Sequence, residues 1–83
     1  MTKFRIKVLE LISKADLVNQ MYEFLDVTVN FSTCKKFDFI SLRIIERGES
    51  IYFQSCSDSN LNGLDKLINA LDEILLDAKK EVI

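Results

Sequence analysis

Two cysteines, thirteen carboxylates and eleven cationic side chains are the groups in these 83 residues that have chemistry to offer, and histidine is absent. Without histidine the chain lacks the usual general base near neutral pH, and Cys34 has no imidazole to lower its pKa. Two thiols separated by 21 residues, with no CxxC spacing, are too few soft ligands for a structural zinc site. Cys34 and Cys56 read most simply as small core or strand-end residues, with a disulfide between them as the minor alternative. Asp72 and Glu73 are adjacent, but neighbours on a helix point in different directions and cannot share a substrate. Gly48 and Gly63 are the only glycines, so there is no glycine-rich phosphate loop. The chain therefore reads as a non-enzyme with no cofactor and no metal.

With catalysis set aside, binding surfaces remain. Thirteen acidic against eleven basic side chains give a net charge of −2, so the overall field that drives unspecific nucleic-acid binding is missing. Any such role needs a local basic patch. Hydrophobic residues at 48% and charged residues at 29% are too apolar for disorder, and 83 residues make one small domain spanning 1–83. The N-terminus MTKFRIKVLELIS alternates charge and apolar side chains, so no signal peptide is expected there. No segment offers the roughly 20 apolar residues of a membrane span, so a cytoplasmic location is expected.

The elements that must position these side chains follow from hydrophobic period. Lys3, Arg5 and Lys7 alternate with Phe4, Ile6 and Val8, the pattern of a half-buried strand. Ser13-Lys14-Ala15-Asp16 then resembles a capping box, and Leu17, Val18, Met21, Tyr22, Phe24 and Leu25 give a helical face ending near Asp26. A rival reading runs that helix back through Val8–Ile12, since no Gly or Pro intervenes. Whether residues 3–12 are strand or helix stays open at this level. Val27, Val29 and Phe31 alternate with Thr28, Asn30 and Ser32 in a strand, and Phe37–Ile45 returns antiparallel to it. Glu46-Arg47-Gly48-Glu49 is the clearest hairpin turn, and Ser50–Cys56 is the last strand, with Ile51 and Phe53 on one side and Tyr52 and Gln54 on the other. Leu61, Leu64, Ile68, Leu71, Leu75, Ala78 and Val82 then mark a long C-terminal helix. The expected class is α+β: a small antiparallel sheet of about four strands with two helices packed on one face, in the order β-α-β-β-β-α.

Three candidate surfaces follow. On the open sheet face, Lys3, Arg5, Lys7, Thr28, Asn30, Arg43, Tyr52 and Gln54 would sit together, with Phe39 and Ile45 beside them. Cations interleaved with aromatic rings can follow phosphates and stack on bases, so Lys3, Arg5, Lys7, Arg43 and Tyr52 are the candidate nucleic-acid or partner residues. On the C-terminal helix, Leu67, Ile74 and Leu76 widen the apolar stripe beyond what a small sheet covers, and are the candidate anchors of a protein interface, a homodimer being the simplest form. Lys79 and Lys80 lie at the end of that helix, where its dipole favours cations. The third surface is the acidity from Asp58 to Asp77, where five carboxylates could imitate a phosphate backbone, too sparsely to distinguish them from a solvated face.

From Ser13 onward the order helix, three strands, helix resembles the double-stranded RNA-binding domain. That family opens its second helix with a run of lysines, where this chain reads Asn62-Gly63-Leu64-Asp65-Lys66-Leu67, so the resemblance is one of element order. Strands followed by one long C-terminal helix are also similar to the small single-strand-binding transcription coactivators, in which that helix dimerises. The expected function is a protein-interaction module, such as an adaptor, inhibitor or regulatory protein, homodimeric through the C-terminal helix and binding an unidentified protein partner; nucleic-acid binding through the sheet face is the alternative.

Overall fold

The computed structural model describes residues 2–81, and has the order α1 (Lys3–Met21), β1 (Leu25–Thr33), β2 (Asp38–Glu46), β3 (Glu49–Ser57) and α2 (Leu61–Glu81). The class is α+β as expected, but the sheet has three strands and the order is α-β-β-β-α, because the N-terminal segment is helix throughout. Thr2 caps it: its hydroxyl accepts a hydrogen bond from the Arg5 N–H at 3.2 Å. Phe4, Val8, Leu11, Ala15 and Val18 are buried at steps of four and three, which is one helix face. The strand reading failed because Phe4 and Val8 satisfy both periods. Ile6, which completed the alternation, is left 54% exposed. Ser13 lies in mid-helix, and the chain leaves the helix at Tyr22, whose extended backbone (φ −126°, ψ 118°) ends the run short of Asp26.

β1, β2 and β3 form an antiparallel sheet with β2 at its centre. The first hairpin closes through the Cys34 N–H donating to the Phe37 carbonyl at 2.8 Å. The second is the two-residue turn expected from the sequence: Arg47 (φ 50°) and Gly48 (φ 89°) are both left-handed, the combination whose twist matches that of paired strands. Arg47 is held in this unfavourable region by its N–H donating to the Phe24 carbonyl at 3.0 Å, with its guanidinium over the Phe24 ring. A register shift between Ile44 and Ile45 confines a bulge to the turn end of β3.

Val27, Ile40, Leu42, Ile44 and Cys56 are buried on one sheet face, and both helices cover it. α2 contributes Leu64, Leu67, Ile68 and Leu71. Its N-terminus is capped by Asn60, whose side-chain oxygen accepts from the Gly63 N–H at 2.9 Å. A Cβ at Gly63 would stand 2.6 Å from that capping amide, which accounts for glycine in a first helical turn. Lys7 pairs with Asp65 and Lys14 with Asp72, both across an offset of 58 residues, so the helices run parallel and in register two turns apart. Lys14 also lies 3.4 Å from Glu10. Of the expected α2 stripe, Val82 lies outside the described residues, as do the side chains of Ala78, Lys79 and Lys80. Among the described residues no helix is long and apolar enough to cross a membrane.

Candidate protein-interaction surfaces

The structure disperses the expected basic face. Lys3, Arg5 and Lys7 are on α1, not on the sheet. Arg5 is spent on Asp38, 3.4 Å away, and Lys7 on Asp65. Tyr52 pairs with Ile44 and therefore belongs to the helix-covered side, as does Gln54 opposite Leu42. Tyr52 is half-buried, and desolvation raises its hydroxyl pKa. These corrections have two causes: assigning α1 to the sheet placed three cations beside strands they never join, and the bulge shifted the phase of β3.

What remains on the outer sheet face is Arg43 with Thr28 and Phe53 on either side in register, then the row Asn30, Ser41, Ser55, with Phe39 and Ile45 nearby. The Arg43 guanidinium stands 4.8 Å from the Phe53 ring centre, a cation–π contact that holds both side chains on the surface. Phe39 meets Phe37 edge-on at 4.6 Å. One cation among small hydroxyl and amide side chains makes no phosphate track. Ile51, expected beside Phe53, sits at the bulge and lines a shallow recess with Tyr22, Phe24, Leu25 and Ile74.

The expected anchors on α2 also divide. Leu67 is 2% exposed and belongs to the core, and Ile74 is half-buried against it, so neither is free to meet a partner. The reason is that α2 covers the sheet with one flank and α1 with the other, which takes a broader apolar face than a sheet alone. Leu76 is the exception, at 56% exposure. It lines a groove of about 440 Å³ between the helices, together with Leu17, Met21 and Leu75, and the Lys14–Asp72 pair closes one side. Leu17 and Met21 were assigned to the apolar face of α1, and their exposure follows from the buried stripe running instead through Leu11, Ala15 and Val18. The signal for this groove was present in the sequence as apolar residues in excess of each helix's core stripe.

Several polar groups are committed to structure. The Lys14–Asp72 hydrogen bond raises the Lys14 pKa, with desolvation opposing it and Glu10 adding to it. Of the five carboxylates from Asp58 to Asp77, Asp65 and Asp72 pair with lysines, and Asp58 accepts from the Asp38 N–H at 3.2 Å. Both cysteines are free: Cys34 is exposed in the first hairpin loop, and Cys56 is buried, which pushes its thiol pKa up. Among the described residues no three of His, Cys, Asp and Glu gather as a metal site. Comparison with known protein families, with curated proteins and with solved structures finds no match.

Proposed function

We propose that this chain is a non-enzymatic protein-interaction module in which binding is itself the activity, as in an adaptor or inhibitor. The observation that carries the reading is apolar exposure. Among the described residues, twelve large hydrophobic side chains are exposed against fourteen buried hydrophobics in the core. Scattered surface leucines are ordinary, but Leu17, Met21 and Leu76 converge on one groove, and contiguous apolar surface marks a contact site. Two parallel helices with an apolar furrow suit an amphipathic helix or an apolar segment of a partner, laid with its side chains between them. The dispersal of Lys3, Arg5, Lys7, Arg43 and Tyr52 over separate faces supports this reading over nucleic-acid binding.

The test is a photoreactive amino acid placed at Leu76, with Thr28 on the outer sheet face as the control position. A discrete adduct from Leu76 that is lost with Met21→Glu supports the groove. Equal adducts from both positions, or none from Leu76, overturns it. Met21 and Leu76 are exposed, so polar substitution there should change folding stability by no more than about 0.5 kcal/mol.

A further inference from the structure

A strand at the edge of a sheet presents unpaired backbone N–H and C=O groups, and folded proteins block such edges with charge, proline, side-chain plugs or covering elements. β1 is blocked. The Asn19 side chain on α1 donates to the Val27 carbonyl at 2.9 Å and accepts from the Val27 N–H at 2.7 Å, so an amide stands where a further strand would pair. β3 has no such plug, and its bulge at Ile51 is confined to the turn end, leaving Tyr52–Ser57 regularly paired to β2. Among the described residues no side chain hydrogen-bonds to the backbone of Glu49–Cys56, and the strand holds no proline and no lysine. Its only charge is Glu49 at the first position. The strand borders a groove of about 350 Å³ beneath α2, lined by Tyr52, Gln54, Ser55, Gly63, Lys66 and Leu67.

We infer that β3 is a pairing edge for a second copy of this chain, joined antiparallel about a two-fold axis at Phe53 to give a continuous six-stranded sheet. Phe53 is exposed on the outer face within the regular part of the strand, and an axis there sets it opposite a second copy's Phe53, an aromatic cross-strand pair. Electrostatics selects the direction. Antiparallel pairing sends the two Glu49 carboxylates to opposite ends of the joint, whereas parallel pairing would set them side by side. The helix above agrees with the same axis. Lys66 shares its groove with Gln54 and Ser55, and Ile74 shares a recess with Ile51, so the stretch of α2 around Ala70 lies abreast of Phe53. Lys66 and Glu73 are both exposed and flank Ala70, and neither has an ion-pair partner among the described residues. The two-fold turns Lys66 of one copy toward Glu73 of the other. This inference concerns a different surface from the helix groove and stands or falls separately.

The test is sedimentation velocity on the full chain up to high micromolar concentration, with Phe53→Lys, Phe53→Glu and an equimolar mixture of the two. Wild type should form a dimer, and each variant alone should weaken it by about tenfold or more, because like charges then meet at the axis. The mixture should recover the dimer through opposite charges at that position. Circular dichroism of each variant checks the fold, and Leu76→Glu should leave the dimer unchanged. A monomeric wild type, variants that still dimerise, or a loss that mixing does not rescue each overturns the proposal. Loss of the dimer in Leu76→Glu would also overturn it, assigning association to the helix groove instead.

Discussion

β1 and β3 flank the same central strand and have the same length of nine residues, yet they differ in what meets their outer edge. β1 is closed by one residue of a neighbouring helix, and β3 is left to solvent. The difference shows that edge protection in so small a domain is a matter of single side chains. α1 lies against β1 and delivers Asn19 because the Lys7–Asp65 and Lys14–Asp72 pairs hold it in register with α2. α2 leans over β3 but presents Gly63, Lys66 and Leu67 there, and among the described residues none of these hydrogen-bonds to the strand's backbone.

The largest effect should come from the strand that both edges share. Leu42 is fully buried at the centre of β2, and Leu42→Ala should cost about 2–5 kcal/mol in chemical denaturation through lost burial and the cavity left behind. Loosening both edges together, it removes the contrast between them without favouring either. Asn19→Ala attacks one edge alone. It leaves the buried Val27 without partners for its N–H and C=O, at a cost of about 1–3 kcal/mol. It should also make β1 behave as β3 does, so that Asn19→Ala self-associates even when Phe53→Lys closes the other edge. A double variant that stays monomeric in sedimentation would show that Asn19 serves stability and not edge protection.

Much of the sheet was legible because β strands leave a period of two that short stretches cannot hide. Thr28, Asn30 and Ser32 against Val27, Val29 and Phe31 read correctly, and so did the left-handed turn at Arg47-Gly48. The first helix was misread in its opening turns because Phe4, Ile6 and Val8 satisfy alternation while Phe4 and Val8 also satisfy the helical step. Only burial by α2 and β1 decides between them. The anchors on α2 were misassigned for a related reason. Leu67 and Ile74 exceed what a sheet needs, but the sequence does not announce that a second helix lies alongside. Asn19 gave no signal in the sequence because a plug is defined by its long-range partner, Val27, and periodicity carries no sign of it.

The smallest effect sharpens the account of how Asn19 is held in place. Lys14 pairs with Asp72 one turn before the plug, and that hydrogen bond raises the Lys14 pKa above its ordinary 10.5. A cation whose pKa is raised by folding stabilises the fold fully below its unfolded pKa, and that contribution disappears as pH rises through the folded value. Asp72→Asn should therefore lower stability by about 0.2–1 kcal/mol at neutral pH, the ordinary range for a solvent-accessible pair. The gap between wild type and variant should stay constant from neutral pH to about pH 10 and narrow above about 10.5 as the ammonium loses its proton. Thermal melts of both proteins across that range check it. A gap that persists at the alkaline end would mean that Asp72 acts through packing of α2, and the register of α1 over β1 would then rest on the apolar contacts of Leu11, Ala15 and Val18 alone.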